Sequence, residues 1–253
     1  LIDHQGYAPS VPAVTVLAID QGTSATKALV VDQGGNVLGR AEVGVDVRAT
    51  PDGGVELDPE QMLDSVVAAG KAALADAGYP TITAVGLGNQ GETVMAWHRH
   101  SGAPVGPAIV WQDRRSQPEC DARRDHAERL AHLTGLELDP YFVAPKVAWL
   151  RGRVDPSATI TTTDTWLLHR LCGAFVTDVA TAGRSLLTDL DTGEWSPEAC
   201  DLFGVDPSAL PAVVGNAEAV GDTDAFGKAV PITGLCVDQQ AALFAEQCHS
   251  AGE

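Results

Sequence analysis

Between positions 14 and 47 the chain holds three extended runs in close succession: VTVLAID at 14–20, TKALVVD at 26–32 and VLGRAEVGVDV at 37–47. Short Gly-rich turns separate them, the second being Gln33-Gly34-Gly35-Asn36. β-Branched runs bounded by such turns read as strands, so the chain opens as an antiparallel meander. Asp58-Pro59 then places an N-cap before a first-turn proline. The helix it starts is predicted to run to about Ala77 and to stop at Gly78. Further strands are expected at 82–88 and 230–236, and a hairpin at 93–98 and 107–111 around Ser101-Gly102. Helices are expected at about 116–131, 140–151, 164–171 and 239–248, with a mixed stretch over 174–230. A meander followed by strands and helices in alternation predicts an α/β domain with a mixed sheet.

Composition narrows the partners. The formal net charge is −18 and is spread along the chain, which repels phosphate backbones and argues against nucleic acid. No apolar run approaches the ~18–20 residues of a membrane span. Residues 1–13 lack a basic segment leading into an apolar one, so they read as a loose tail rather than a secretory signal. The five cysteines form no CxxC pair and have no histidine cluster beside them, which predicts reduced, mostly buried thiols in a cytoplasmic protein and no zinc site.

Four polar blocks carry candidate chemistry. Residues 20–27, Asp20-Gln21-Gly22-Thr23-Ser24-Ala25-Thr26-Lys27, form a tight glycine turn between two strands. Backbone N–H groups, hydroxyls and a lysine suit a phosphate, and Asp20 at the strand end suits Mg²⁺. A strand follows where a Walker A loop would start a helix, which is the pattern of the actin-like ATPase fold. Residues 86–91 satisfy GxGxxG after a strand. A dinucleotide site needs a helix to begin at the third glycine, and here the alternation of residues 92–97 leads to a hairpin instead. That strand is expected to open into a pocket with Asn89, Gln90 and Glu92. Residues 109–115 end a strand with Trp111 beside Gln112, Asp113, Arg114 and Arg115, a ring and polar groups that suit a sugar or polyol. Asp238 stands between a strand and a helix, either as an N-cap or as a catalytic carboxylate at a strand's carboxyl end. The neighbouring Gln239 and Gln240 favour the second reading.

Together these blocks resemble the FGGY carbohydrate kinase family, and within it the glycerol kinases. The resemblance rests on Asp20-Gln21-Gly22-Thr23, Asn89-Gln90-Gly91-Glu92-Thr93, Val110-Trp111-Gln112-Asp113-Arg114-Arg115, Leu138-Asp139-Pro140-Tyr141-Phe142 and Asp238-Gln239-Gln240-Ala241-Ala242-Leu243-Phe244, in that order. It implies a ribonuclease-H-like, actin-type domain whose mixed β-sheet is flanked by helices, occupying 14–253 as the substrate-binding lobe. The implied activity is ATP-dependent phosphorylation of a polyol or sugar hydroxyl. Thr23, Ser24, Ala25 and Lys27 would face the ATP phosphates, and Asp20 and Asp238 would serve Mg²⁺. Glu92, Trp111, Tyr141, Asp238 and Gln239 would contact the substrate, with Asp238 accepting the proton of the attacking hydroxyl. A homo-oligomer is compatible with the resemblance, although no contact motif is readable.

Two departures from the pattern raise expectations of their own. Glycerol kinases carry an arginine where this chain has Gly91. Its loss predicts a roomier pocket for a polyol or sugar other than glycerol. Family members also have a second lobe, with the adenosine site, beyond the length of this chain, so the 253 residues alone are expected to show no meaningful turnover. The alternative reading is a non-catalytic actin-fold module that binds a sugar or a partner protein.

Overall fold

A computed structural model describes residues 14–248, 250 and 252. The tail read at 1–13 lies outside the described residues. The opening meander is present as β1 (Thr15–Gln21), β2 (Ala25–Asp32) and β3 (Val37–Gly44), antiparallel throughout. The third extended run divides earlier than its sequence predicts. Val45 is buried and donates its N–H to the Ser24 carbonyl at 2.9 Å, turning the chain off the sheet edge. Beyond it, β4 (Val47–Ala49) pairs with β5 (Val55–Leu57) in a different sheet.

Helix α1 (Pro59–Asp76) begins as expected, the Asp58 carboxylate accepting from the Glu60 N–H at 2.9 Å. Met62, Val66, Ala69 and Ala73 recur at helical spacing, are fully buried and pack on the meander. The helix gives way at Gly78, whose φ is +74°. The chain returns as β6 (Ala84–Asn89), β7 (Val94–His98), β8 (Ala103–Pro104) and β9 (Ala108–Ile109). The single helix expected over 116–131 is broken into α2 (Gln117–Asp121), a 3₁₀ turn at Arg124–His126 and α3 (Ala127–Thr134). Between Cys120 and Leu130 no side chain is buried, so the apolar repeat that would hold one continuous helix is missing.

The second half runs α4 (Val143–Arg151), β10 (Thr159–Thr162), α5 (Thr163–Cys172), β11 (Val176–Asp178), α6 (Val179–Ala182), α7 (Pro197–Phe203), β12 (Ala212–Val214), β13 (Gly221–Thr223), β14 (Val230–Val237) and α8 (Asp238–Ala245). The main sheet has the order β13-β14-β6-β1-β2-β3, and a second sheet has the order β10-β7-β9-β5-β4. One apolar core joins the main sheet, α1, β7 and α5. All five cysteines are free. Cys120 and Cys200 are buried, their thiols pushed up by burial to about 12 and about 11, while the other three are half-buried. Among the described residues no helix is long and apolar enough to cross a membrane.

The feature that positions the site is a parallel trio inside the mixed sheet. Strand β6 runs parallel to both β1 and β14, and the register places Gln21, Asn89 and Val237 side by side at one edge. Whatever follows those three residues must therefore emerge together. The three segments are Gly22–Ser24, Gln90–Glu92 and Asp238–Gln239.

Candidate active site

At the first of the three strand ends, β1 turns into β2. The Gly22 N–H donates to the Ala25 carbonyl at 3.1 Å, and a side chain at Gly22 would bring its Cβ to 3.0 Å of that oxygen. Asp20 and Lys27 are cross-strand partners at the exposed mouth of this hairpin, with Ser24 exposed at its tip and Ala25 half-buried. Protein packed around Asp20 raises its carboxyl above the usual carboxylate range, and the Lys27 ammonium pulls it back. Thr26 points the other way and bonds Ser65 of α1 at 2.6 Å, which fixes the hairpin to the helix beneath.

Thr23 faces inward. Its hydroxyl donates to Gln90 Oε1 at 3.2 Å and accepts from Trp111 Nε1 at 2.8 Å. Gln90 Oε1 also accepts from the Thr93 hydroxyl at 2.8 Å, and Gln90 Nε2 donates to Gln21 Oε1 at 3.1 Å. A hydroxyl has one proton, so that of Thr23 is committed within the protein. The turn's exposed side-chain donors are therefore Ser24 and Lys27. The same bond holds Trp111 upright at the pocket's edge.

At the second strand end Asn89 is buried and braces the turn rather than facing a ligand. The Thr181 hydroxyl gives its proton to Asp178 at 2.6 Å. Asn89 must then present its amide NH₂ to Thr181, at 3.3 Å, and that orientation lets its oxygen accept from the Gly91 N–H at 3.2 Å. Gly91 itself has φ +60°, and a Cβ there would lie 2.5 Å from Val237 Cγ2. The Cβ direction at this position is thus already occupied by Val237.

Glu92 follows and is fully buried. Its Oε1 accepts from Arg184 Nε at 2.7 Å, while its Oε2 has no hydrogen-bond partner among the described residues. Burial raises the Glu92 carboxyl, the Arg184 and Lys146 cations lower it, and Asp238 pushes it up again. Tyr141 stands opposite, its ring 5.7 Å from that of Trp111 in an edge-on arrangement. Its hydroxyl is within hydrogen-bonding reach of Arg184 and Gln239. Two groups hold the Tyr141 loop. Asp139 accepts its N–H at 2.8 Å, and the buried Lys146 ammonium donates to the carbonyls of Pro140, Tyr141 and Phe142.

Asp238, at the third strand end, opens α8 without capping it. Val237 occupies the cap position, and the Asp238 carboxylate accepts from the adjacent Gln239 N–H at 2.8 Å. Burial first, and Asp20 in addition, raise its carboxyl above the usual range. The geometry therefore gathers Asp20, Glu92, Trp111, Tyr141, Asp238 and Gln239 at one edge. The polar cluster behind Trp111 is not part of it. Asp113 is buried, accepts from the Val55 N–H at 2.8 Å and pairs with Arg115 at 2.7 Å, so it ties loop to sheet.

Two residues of the site carry little sequence signal. Lys146 was detectable as a cation on the apolar face formed by Val143, Val147 and Leu150. Arg184 sits in the irregular TAGRSLL stretch, where nothing in spacing or pattern singles it out.

A sequence profile of the FGGY family of carbohydrate kinases, N-terminal domain, matches residues 15–245. The chain belongs to that family. It is 40% identical to a glycerol kinase of Methylibium petroleiphilum over 253 residues, covering 94% of this chain and 51% of that relative. With a glycerol kinase of Leptothrix cholodnii the identity is 41%, with the same coverage. The chain thus spans about half the length of the curated relatives it matches. A crystal structure of Plasmodium falciparum glycerol kinase with ADP superposes with a TM-score of 0.89 at 28% identity, covering 95% of this chain and 52% of that one. The fold also matches a xylulose kinase of Rhodospirillum rubrum, at a TM-score of 0.86 and 22% identity, with 94% and 52% covered. The actin-like fold and family read from the FGGY motifs are both borne out.

Proposed function

We propose that the protein containing these residues transfers the γ-phosphoryl group of ATP to a hydroxyl of a polyol or small sugar, and that residues 14–253 form its substrate-binding lobe. The observation that carries this reading is the shared edge that brings Asp20 and Asp238 together with Glu92, Trp111, Tyr141 and Gln239. The unpartnered Glu92 Oε2 asks for a hydroxyl, because a buried acceptor without a donor is costly. Trp111 offers a ring to C–H faces, and Gln239 adds an amide.

The nucleotide and its metal fit the residues present. Ser24 and Lys27 face outward from the turn and suit phosphate oxygens. Among the described residues no group of three or more His, Cys, Asp or Glu could cage a metal ion. Mg²⁺ needs no such cage, since it is held through one or two carboxylates plus substrate phosphates. Asp20 and Asp238 would supply those carboxylates, and Mg²⁺ bound there would neutralise charge on the transferring phosphates.

The chain's own groups would do the rest. Glu92, Tyr141 and Gln239 orient the polyol so that one hydroxyl lies against Asp238. A carboxylate remains a far weaker base than an alkoxide, so Asp238 cannot ionise that hydroxyl in advance. It orients the O–H and takes its proton as the bond to phosphorus forms. Lys27 offsets charge on the phosphoryl oxygens. A cytoplasmic location, where ATP is supplied, goes with this reading.

The test is ADP release by the full-length protein with glycerol, erythritol, ribitol and xylulose. Since Val237 fills the room beside Gly91, glycerol is not excluded on size. Turnover with at least one of these is expected. A folded, ATP-binding protein silent across polyols and sugars would overturn the reading in favour of a non-catalytic module.

A further inference from the structure

Gly91 and Arg184 pose a joint question. The backbone at Gly91 is left-handed, and its Cβ direction runs into Val237, so this turn presents no side chain of its own to the pocket. A guanidinium nevertheless reaches the pocket, from a segment 92 residues away from Glu92. Arg184 follows α6 and is half-buried between Glu92, the ring of Tyr141 and the ring of Phe142, with its guanidinium carbon 5.1 Å from the Phe142 centroid. Its Nε bonds Glu92 Oε1, and it reaches the Tyr141 hydroxyl as well.

We propose that Arg184 is the specificity-determining positioning residue of the polyol pocket. By holding Glu92 Oε1 beside the Tyr141 ring, it leaves Glu92 Oε2 as the acceptor that an incoming hydroxyl must satisfy. This inference rests on the polyol-kinase reading above and deepens it.

The physical argument concerns where Glu92 can point. A buried carboxylate with one oxygen pinned by a planar donor has little freedom to turn its other oxygen away. A substrate with a hydroxyl at that oxygen gains a charge-assisted bond. An analogue lacking the hydroxyl leaves a buried anion's oxygen without a donor, and sites built this way reject the deoxy analogue strongly. Lysine in place of Arg184 keeps a charge but not the planar fork or the stacking on Tyr141 and Phe142.

The experiment compares glycerol with 1,2-propanediol in the full-length protein, for wild type, R184K and R184M. Wild type is expected to favour glycerol by roughly 1,000-fold or more in kcat/KM. In R184M the KM for glycerol should rise roughly 30-fold or more and the discrimination should fall to about tenfold, with the KM for ATP within about twofold of wild type. R184K should lie between the two. Circular dichroism and thermal melting check that each variant is folded. A folded R184M that keeps the glycerol preference overturns the proposal. So does an R184M that loses kcat equally for both substrates with KM unchanged, the mark of a merely structural residue. If R184M fails to fold, the R184K KM and preference decide by the same criteria. A wild type that turns over other substrates but shows no preference for the hydroxylated analogue overturns the role of Arg184 alone. A wild type that phosphorylates no polyol or sugar removes the kinase reading and this inference with it.

Discussion

The turn proposed to hold phosphate and the cluster proposed to hold the polyol share an edge but are built in opposite ways. The turn is eight consecutive residues, its chemistry displayed by a hairpin whose mouth residues Asp20, Ser24 and Lys27 are exposed. The pocket draws Glu92, Trp111, Tyr141, Arg184 and Gln239 from five separate stretches of chain, with Glu92 and its supporting Lys146 fully buried. A phosphate carries enough charge to be held at a solvated, local site. A neutral hydroxyl competes with water and is recognised only by groups already dried and cross-braced. The cost of that bracing falls on distant residues that never touch the ligand.

Four tests, taken from the largest expected effect to the smallest, sharpen or break this contrast. The largest effect belongs to Asp238→Asn, which keeps size and removes the proton acceptor. It should lower kcat about 10²–10⁴-fold while ATP and polyol still bind, measured by ADP release and by calorimetry. Unchanged kcat would reduce Asp238 to scaffold. Next is Lys146→Met, which deprives the carbonyls of Pro140, Tyr141 and Phe142 of their donor. Stability should drop by about 2–4 kcal/mol in urea unfolding, and the KM for polyol should rise more than that for ATP. Burial lowers the Lys146 ammonium from 10.5 to about 7. Between those values the unfolded chain holds a proton that the folded one lacks, so Lys146 makes wild-type stability rise with pH across that window. The variant should lose this rise.

Gly91→Ala tests the closeness of the strand ends. A left-handed alanine pressed on Val237 should cost about 1–3 kcal/mol, and the double variant with Val237→Ala should recover part of it in a thermal melt. If Gly91→Ala is neutral, the turn has room after all. The smallest effect is expected of Thr23. Thr23→Val removes the bond to Trp111 and should raise the polyol KM by roughly three- to tenfold. Thr23→Ser, which retains the hydroxyl, should restore it. Equal effects of the two on ATP alone would cut the link between turn and pocket.

Much of this was legible because it is local. The meander, the Asp58-Pro59 helix start and the rejection of a dinucleotide site at 86–91 each follow from neighbours in sequence, and each is present in the fold. The corner at Val45 and the broken helix at 116–131 were missed, because both depend on what the chain packs against. The blocks holding Asp20, Glu92, Trp111, Tyr141 and Asp238 were readable as motifs, but their internal roles were not. The Thr23 hydroxyl donates to Gln90 and Asp113 pairs with Arg115, contacts that the motifs alone do not reveal. Arg184 had no motif, since its meaning lies entirely in a contact made 92 positions away.

The bond from Trp111 to Thr23 has a practical consequence. In the proposed enzyme the two ligands would occupy adjoining rooms with one hydroxyl for a party wall. Anyone redesigning the polyol room by shrinking Trp111 also removes the indole that braces the wall, and the nucleotide side will register the renovation. Substitutions at Trp111 and Thr23 should therefore be drawn up as a pair, with the nucleotide's fit measured whenever the polyol's is changed.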